Sequence, residues 1–502
     1  MKIKMFNKRN LFIGLVGSLC LAQVSCKKHL DINHDPNFPT LDEGNPSLVF
    51  PVGVLATISE TGGDLAIAGG MLSQYFTQAS LAQQYTDVDS YNLPTTDRFV
   101  NDAWDILFPS ALKNFQYVID HSKASGDWNF YLMGTVMKAY TTQVLVDLYD
   151  QIPYSEALQG TGNLNPKFDD GYSIYTDLLS SLDSALGKDF SASTNTAPGK
   201  QDLVFGGDMQ KWMQFANTLK LKMYLRMVNA HPDVAQAGIT GLYNSGATFL
   251  STDAAVTNFV DAPGLDNPAY EMNKRQLNTP NNLRASTTFV TWLNESNDPR
   301  ITYYFQGNTT SINQGDYSNN NATYQAAKTF RNIDHTEATD PVEFISAAES
   351  YFLQAEADVR YFGGTNAKSL YDQGVLAAFE ETGNDGSSFI AANGAYEWGN
   401  EKEGGVALEP IAQIIRQKWA ALAYGEHGIE AFFDKNRTGF PATSAVYSNS
   451  GSYIPGQLVV VANSVLASGQ TPKRFVFPNS ETTINTNSPT LVPITTAVWW
   501  GQ

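Results

Sequence analysis

Cysteine is almost absent from this 502-residue sequence, and the two that occur, Cys20 and Cys26, fall within the first 26 positions. Disulfide frameworks, cysteine-bound zinc sites and thiol enzymes all need cysteines in the folded body, which has none. The body is nevertheless long enough to bury a large apolar core without cross-links. These three classes of protein are therefore excluded.

Charge is also scarce. Charged residues make up 16% of the sequence, against about 25% in an average protein. Fifty residues are acidic and 32 are basic, and this net charge of −18 argues against a nucleic-acid partner. Aromatic residues reach 12%. The surface must therefore be polar largely through uncharged side chains and glycine.

The only long apolar run lies at the N-terminus. A basic start precedes an apolar run from Leu11 to Leu21, and a small residue, Ser25, stands before Cys26. This is the layout of a secretory signal, and its run is too short for a permanent membrane span. We predict a lipoprotein signal peptide over residues 1–25. Its removal leaves 28 basic and 50 acidic residues, a net charge of −22.

The end of this signal resembles a bacterial lipobox, except that Gln23 stands where the pattern has leucine. Cleavage before Cys26 would free an amine and a thiol for acylation. At about 0.8 kcal/mol per buried methylene, two or more acyl chains anchor a protein. We predict lipidation of Cys26, a tether over residues 26–45 and one domain over residues 46–502. The alternative is a soluble secreted protein with an incidental cysteine.

Helical patterns dominate the body. The clearest predicts a helix over Pro341–Phe362, with Asp340 as its cap, and a second helix over Ala367–Thr382 follows at once. The two should form a helical hairpin. Such hairpins resemble tetratricopeptide units, which bury their apolar faces against neighbouring units. Further helices are predicted over Trp128–Tyr149, Ser173–Leu186, Met209–Asn229 and Ile411–Tyr424.

Known catalytic and metal-binding motifs are missing. The six histidines form no HExxH pair, and no GxSxG or P-loop pattern occurs. Asp87 and Asp89 begin like a calcium loop but lack its glycine and final glutamate. Glu356 and Asp358 stand two residues apart, so they point to different helix faces and are more simply structural. We predict no cofactor and no metal. Carboxylates are abundant, so a surface-anchored glycoside hydrolase stays open as an alternative to a binding protein.

Aromatic residues in the polar loops are the most informative signal. A flat ring covers the C–H face of a sugar, while nearby amides and carboxylates bond its hydroxyls. Alternatively, each ring attaches its loop to the scaffold. We expect alanine at Tyr91 or Tyr317 to remove ligand binding without loss of thermal stability. The long polar stretches are Ser191–Gln201, Asp261–Leu283, Gly307–Asp340, Gly383–Gly405 and Pro441–Pro472. The predicted ligand-binding residues are Tyr85, Asp87, Tyr91, Tyr270, Asn273, Tyr317 and Tyr324.

Several motifs in chain order are similar to those of the SusD/RagB family of nutrient-binding outer-membrane lipoproteins. The resemblance implies a mostly α fold, with a tetratricopeptide-like helical hairpin scaffold, a loop-rich ligand-binding face and no enzymatic activity. The motifs include Cys26–Asn33, Asp147–Ala157, Gly207–Asn217, Asn297–Arg300, Tyr351–Ala357, Gln417–Trp419, Gly428–Ala431, Arg437–Gly439, Arg474–Glu481 and Val498–Trp500.

The same resemblance implies a partner and a location. Such a protein would sit as a lid on a SusC-like TonB-dependent transporter barrel, held to the outer membrane by lipid and facing the cell surface. It would capture oligosaccharides or peptides and deliver them to the barrel. The motifs are scaffold signatures, so Arg437 and Trp419 are predicted to be structural. The family binds ligands through variable loops, which places the site in Gln83–Arg98 and Asp261–Arg331.

Overall fold

A computed structural model describes residues 45–80, 82–195, 198–277, 282–305, 310–319 and 337–501, and helices dominate these residues. The first half contains α1 (Pro46–Ser59), α2 (Leu65–Leu72), α3 (Thr86–Asp89), α4 (Arg98–Ile106), α5 (Lys113–Ser125), α6 (Trp128–Tyr149), α7 (Gly171–Leu186), α8 (Met209–Arg226) and α9 (Pro232–Asn244). The second contains α10 (Pro268–Tyr270), α11 (Thr287–Glu295), α12 (Arg300–Phe305), α13 (Ala347–Tyr361), α14 (Ala367–Glu380), α15 (Ser387–Ile390), α16 (Pro410–Ala421), α17 (Gly428–Thr438) and α18 (Asn479–Thr482).

The strands are two to four residues long and pair only in twos within the described residues. The antiparallel pairs are β1–β5, β2–β3, β4–β6 and β7–β8, and β9–β10 is parallel. In chain order the strands are β1 (Phe76–Gln78), β2 (Gln151–Pro153), β3 (Phe168–Asp170), β4 (Ala254–Val256), β5 (Leu283–Ala285), β6 (Val342–Ile345), β7 (Lys402–Glu403), β8 (Val406–Ala407), β9 (Thr443–Ser444) and β10 (Leu458–Val459).

Short polar side chains define where the long helices begin, as the sequence suggests. The Asp127 carboxylate accepts a bond from Phe130 N at 3.1 Å, and α6 has the predicted bounds. Asp208 accepts bonds from Gln210 N and Lys211 N at the start of α8. Helices also form at the positions predicted for α7, α14 and α16, with ends within a few residues.

The predicted helix Pro341–Phe362 is wrong in its first turn. Residues 342–345 form β6, which pairs with β4, and α13 begins only at Ala347. Its cap is Ser346, whose Oγ accepts from Glu349 N at 3.1 Å, and not Asp340. Apolar Val342 and Phe344 fit strand and helix periodicity equally well over so short a run. The pairing with β4 decides between them.

Neighbouring helices pack as hairpin-like pairs, α5 with α6, α7 with α8, α13 with α14 and α16 with α17. Contacts of α6 with α8, α8 with α13 and α13 with α16 join these pairs into one row. One apolar cluster extends along the row and into α1 and α2. The mostly α, tetratricopeptide-like scaffold is therefore confirmed.

Charged side chains lie inside this helical row. The Arg226 guanidinium contacts Asp147 at 3.2 Å, Glu430 at 2.6 Å and Asp434 at 3.0 Å. The Lys418 amine lies 2.7 Å from Asp434 and 3.4 Å from Glu430. All five side chains are buried. We call these residues, together with Lys222, Glu349, Glu356 and Arg437, the core ion network.

Glu356 and Asp358 have separate structural roles, as their spacing predicts. Glu356 accepts two bonds from Arg437, at 2.6 and 2.7 Å, deep inside the row. Asp358 accepts a bond from Asn366 N at 2.9 Å and so closes the turn before α14. Trp419 is also buried. The structural reading of these four residues is confirmed.

The predicted signal, the lipidated Cys26 and nearly all of the tether lie outside the described residues. Residues Pro46–Gln502 cluster as one compact unit. Among the described residues, no helix combines the length and the apolarity that a membrane span requires.

Candidate ligand-binding face

The β1–β5 ribbon connects the segments that carry most of the predicted site residues. Gln78 in β1 pairs with Leu283 in β5. The Gln78 Oε1 atom accepts a bond from Tyr85 N at 2.6 Å, and the Tyr85 hydroxyl lies 3.2 Å from Asn273 Oδ1. Asn273 belongs to a π-helical turn, Glu271–Gln276. The structure therefore brings Tyr85 and Asn273 together at one end of the ribbon.

The Tyr85 ring faces inward. It is 1% exposed and packs against Phe99 with ring centroids 6.1 Å apart. Burial raises the pKa of its hydroxyl, which donates to Asn273 as a neutral phenol. In this structure Tyr85 thus holds the loop and supports the amide of Asn273. The sequence left two roles open for each loop ring, contact with a sugar or attachment of its loop to the scaffold. The buried position of Tyr85 corresponds to attachment.

Tyr270 and Asn273 line a cleft with about 560 Å³ of empty volume, part of it open to solvent. Ile67 and Phe76, from α2 and β1, supply apolar walls, and Glu426 is one of its few charged lining residues. We call it the Tyr270 cleft. Mostly apolar walls with a few polar groups are typical of small-molecule sites.

Neighbouring polar groups fix the position of Tyr270. Asn267 accepts a bond from Tyr270 N at 3.1 Å and donates to Glu426 at 3.0 Å. The Lys274 amine and the Arg275 guanidinium lie 5.5 and 5.3 Å from the ring centroid, within cation–π range. Tyr270 remains half-buried. Its ring is therefore held at the cleft wall by both backbone and cation contacts.

Asp87 and Asp89 have opposite environments. Asp89 is buried and accepts bonds from the Thr77 hydroxyl at 2.7 Å and from Gln314 Nε2 at 2.6 Å. Burial raises its pKa to about 6, although these donors partly oppose the shift. Asp87 is exposed and accepts from Asn92 Nδ2 at 2.9 Å. Asp87 is therefore accessible to a ligand, whereas Asp89 holds segments of the chain together.

Tyr317 lies on a segment that is fastened to the ribbon from the other side. Gly315 N donates to the Thr77 hydroxyl at 3.0 Å, and Asn463 donates to Gly315 O at 2.8 Å. Gly315 has a φ of 74°, and a Cβ there would lie 2.8 Å from the Val461 side chain, so the position requires glycine. Tyr317 itself is half-buried. Tyr317 therefore remains partly accessible to a ligand.

Tyr91 is 3% exposed and packs in the core. The expectation that alanine at Tyr91 leaves thermal stability unchanged is therefore wrong, because removing a buried aromatic ring costs about 3–5 kcal/mol. Tyr91 lines a small pocket of about 340 Å³ together with Gln74 and Lys435. Tyr324 lies outside the described residues.

Sequence reasoning missed Tyr447. Its ring is 46% exposed and lines a cleft of about 770 Å³ with Ser444 and Val446. The neighbouring Ser448 bonds Asn313 at 3.0 Å, which places this loop beside the Tyr317 segment. The polar stretch Pro441–Pro472 was recognised as a loop. An aromatic residue within this polar stretch is the sequence signal that could have identified Tyr447.

A second, more polar cleft lies on the scaffold, between α5, α6 and α7. It has about 1110 Å³ of empty volume, much of it open to solvent. The Tyr154 hydroxyl donates to Asp177 at 2.5 Å, and the Lys138 amine donates to Gln116 at 2.7 Å. We call it the Tyr154 cleft. No predicted site residue lies there, because Tyr154 belongs to a motif that resembles a scaffold signature.

One group of acidic residues in the described part of the chain has the spacing of a cation site. Oxygens of Asp253, Glu343 and Glu381 lie within 4.8 Å of one another. Both carboxylate oxygens of Glu381 are buried without a hydrogen-bond partner. Burial, reinforced by Asp253, raises the pKa of Glu381 well above its usual value. The three carboxylates could hold a cation or bind a proton.

Other carboxylates with raised pKa values are enclosed by helices. Burial raises the pKa of Glu60 well above its usual value and that of Asp64 to about 7, while Arg98 opposes the shift. Neither residue lines any of the clefts described above. A glycosidase needs an accessible carboxylate pair beside its substrate. Glu60 and Asp64 do not provide one.

Comparison with known proteins identifies the family. A family model described as starch-binding and associating with the outer membrane, SusD-like, matches residues 54–460. The chain belongs to this SusD-like family. Its match covers most of the scaffold and the loops of the face, and the resemblance noted in the sequence is confirmed. No curated protein sequence matches the chain.

Solved structures show the same SusD-like fold. A SusD homologue from Bacteroides uniformis is 21% identical, with a TM-score of 0.72, and the match covers 91% of this chain and 100% of that one. A chitin-binding SusD homologue from Flavobacterium johnsoniae is 20% identical, with a TM-score of 0.69 and coverage of 90% and 98%. A SusD-like protein from Bacteroides thetaiotaomicron is 21% identical, with a TM-score of 0.67 and coverage of 91% and 99%.

Proposed function

We propose that this protein is a non-enzymatic, cell-surface lipoprotein that captures oligosaccharides and delivers them to a SusC-like TonB-dependent transporter. The observation that carries the proposal is membership of a family described as starch-binding and associating with the outer membrane. One structural relative is described as chitin-binding. Starch-derived and chitin-derived oligosaccharides are therefore the first ligands to test.

The chemistry of the loop face supports a sugar ligand. Tyr270 and Asn273 place a ring and an amide at one cleft, and Tyr317 and Asp87 place a ring and an accessible carboxylate on the neighbouring loops. Rings cover the C–H faces of sugars, and amides and carboxylates bond their hydroxyls. Tyr85 and Asn273 are linked by a hydrogen bond, so Tyr85 would act by positioning the amide. Tyr324 remains a proposed contact.

The lipid anchor and the barrel partner follow from the N-terminal sequence and the family resemblance. Cys26 is preceded by an apolar run and followed by about 20 residues before α1. At most about 3.5 Å per residue, such a connection spans up to roughly 70 Å. The body would thus remain at the outer membrane while it moves relative to a transporter barrel.

Titration of the purified body, residues 27–502, with maltoheptaose and chitohexaose tests the binding step. We expect calorimetric binding of at least one of these sugars and full recovery of intact ligand. Shorter products would favour the alternative, a surface-anchored hydrolase. If neither sugar binds, a peptide pool is the next ligand class, and absence of binding to all three would contradict the proposal.

Single alanine variants test the placement of the site. Tyr317→Ala and Tyr270→Ala should each weaken binding at least tenfold, because each removes a partly accessible ring. Tyr361→Ala is the matched control, since Tyr361 is a half-buried ring at the end of α13 on the scaffold. Equal affinity in all three variants and the parent protein would place the site elsewhere.

Anchoring and delivery need separate measurements. Cys26→Ser should abolish incorporation of a labelled fatty acid and move the protein from the membrane fraction to the soluble fraction. Affinity purification of the parent protein from detergent extracts should recover a barrel transporter. Membrane association that survives in Cys26→Ser would disprove the lipid anchor, and recovery of no barrel would count against the transporter.

A further inference from the structure

Buried basic side chains in this acidic protein are generally paired with carboxylates. Lys222 contacts Glu349 at 3.0 Å, and Arg300 contacts Asp298 at 2.7 Å. Lys435 is different. Among the described residues no carboxylate lies within 4 Å of its amine, and the same holds for Lys473. Two amines without a counter-charge are therefore found in one part of the structure.

The backbone of Lys473 lies beside the last turns of α17, the helix that carries Lys435. The Lys435 amine donates to Gly439 O at 2.7 Å and also to Pro441 O, beyond the end of the helix. Asn436, the next residue, donates its side-chain amide to Lys473 O at 3.4 Å. An ammonium group has three donors, so Lys435 retains one for a ligand after its two carbonyl contacts.

Lys435 and Asn436 line the small pocket that also contains Tyr91. Its remaining polar contacts come from hydroxyl and amide groups, including Thr443 and Thr471, and no carboxylate lines it. We call it the Lys435 pocket.

The absence of a carboxylate distinguishes the Lys435 pocket from the Tyr270 cleft and the Tyr154 cleft. Glu337 and Glu426 line the Tyr270 cleft, and Asp120, Asp169 and Asp177 line the Tyr154 cleft. In a chain with 50 acidic residues, a pocket with donors and no carboxylate favours an anion.

The pKa values of the two lysines also favour an anion in the Lys435 pocket. Burial, together with the positive charge of Lys473, lowers the pKa of Lys435 to about 7. Burial also lowers the pKa of Lys473. An oxyanion in the pocket would offset both effects, because an opposite charge within about 4–6 Å favours the charged amine.

We propose that the Lys435 pocket is an anion subsite that binds the carboxylate or sulfate ester of an acidic sugar unit. This deepens the proposed glycan-binding function and rests on it for the source of the anion. The Lys435 amine would bond one oxygen, with Thr443, Thr471 and Asn436 as neutral partners. The long-range charge of Lys473 would add to the attraction. Tyr91 would then contribute to the apolar wall of this subsite.

Inorganic sulfate tests the subsite independently of any sugar. Sodium sulfate should raise the melting temperature more than sodium chloride at equal ionic strength, and this difference should be smaller in Lys435→Gln and in Lys473→Gln than in the parent protein. The part that remains is the general stabilisation that sulfate gives any folded protein. Lys402→Gln is the matched control, because Lys402 is an exposed lysine on β7. Lys435→Arg keeps the charge and should retain part of the difference. A sulfate effect of the same size in the parent protein and in both glutamine variants would overturn the proposal.

A paired ligand tests the sugar class. Trigalacturonate and its methyl ester have the same sugar chain, but the ester replaces each carboxylate charge with a neutral methyl ester group. The charged form should bind at least tenfold tighter to the parent protein and to Lys402→Gln. The two glutamine variants should bind both forms equally. Equal affinity of acid and ester in the parent protein refutes the subsite. If neutral oligosaccharides still bind in that case, the glycan-binding function stands, so the two failures are distinguishable.

Discussion

Glu430 in the core ion network and Asp89 in the ligand-binding face are buried carboxylates whose pKa values shift in opposite directions. Burial alone would raise the pKa of Glu430, but Arg226, Lys222 and Lys418 together lower it to about 2. Asp89 in the face is buried as deeply but contacts only neutral donors, and burial raises its pKa to about 6. Every carboxylate of the core ion network has a cation beside it, whereas the face holds a buried acid with none.

This difference separates two pH ranges. A carboxyl whose pKa is lowered on folding stabilises the protein above its unfolded pKa, and that contribution is lost as the pH falls towards the folded pKa. A carboxyl whose pKa is raised on folding stabilises the protein at low pH, and that contribution is lost as the pH rises through the folded pKa. The scaffold should therefore lose stability in acid. The face should lose local stability as the pH rises towards neutral.

The largest expected effect is acid unfolding of the scaffold. Glu356, Glu430 and Asp434 all have pKa values of about 2, since nearby cations outweigh their burial. Their stabilisation should be present above about pH 4.5 and lost between roughly pH 4.5 and 2. Melting temperatures at pH 7, 5, 4 and 3 should fall steeply below pH 4.5. A flat profile down to pH 3 would contradict the stabilising role of these ion pairs.

Removing one cation from the network should have the next largest effect. Arg226→Met leaves Asp147, Glu430 and Asp434 without their shared guanidinium, so we expect a loss of about 3–5 kcal/mol in the free energy of unfolding. Urea denaturation at pH 7 measures it. A loss below about 1 kcal/mol would mean that the remaining cations compensate.

A smaller and local effect is expected at Asp89. Asp89→Ala removes the acceptor of the Thr77 hydroxyl and Gln314 Nε2, at a cost of about 1–3 kcal/mol. Amide hydrogen exchange should speed up over residues 85–92 and 310–319, with the scaffold helices unchanged.

The pH dependence of the same residue gives a second test. In the parent protein the protection of residues 85–92 and 310–319, corrected for intrinsic rates, should be greater at pH 5 than at pH 7.5. This follows because the pKa of Asp89 is about 6 when folded. Equal protection at the two pH values would show that Asp89 ionises without loosening the face.

The smallest effect should come from an exposed ion pair. Lys368 lies 2.5 Å from Asp372 on the surface of α14, where solvent screens the pair. Lys368→Met should change the unfolding free energy by about 0–1 kcal/mol, in contrast to Arg226→Met. Urea denaturation of the two variants side by side provides the comparison. A similar loss in both would remove the distinction between buried and exposed charge.

Much of the scaffold could be predicted because its signals are local. Asp127 and the apolar faces that follow define α6, and Asp208 does the same for α8. The error at Val342 shows the limit, since pairing with a strand nearly 90 residues earlier turns an apparent first helical turn into β6. Long-range pairing of this kind leaves no periodic signal over so few residues.

The face was predicted less completely, for a different reason. The sequence identified aromatic rings in polar loops, but ring type does not reveal exposure. Tyr85 and Tyr91 face the core, Tyr270 and Tyr317 stay partly accessible, and the well-exposed Tyr447 was not among the predicted residues. Each outcome depends on contacts between loops far apart in the chain, such as Tyr85 with Asn273.

The β1–β5 ribbon has a practical consequence for protein engineering. Its three-residue strands carry the loop before α3 on one side and the Asn273 turn on the other. The Gln78 side chain accepts a bond from Tyr85 N and donates one to Asn282 O, so it holds the chain on both sides of the ribbon. The core ion network does not pass through it. Loops grafted between the fixed ends of this ribbon should therefore change ligand specificity while the helical row folds as before, which makes the chain a natural frame for building new sugar receptors.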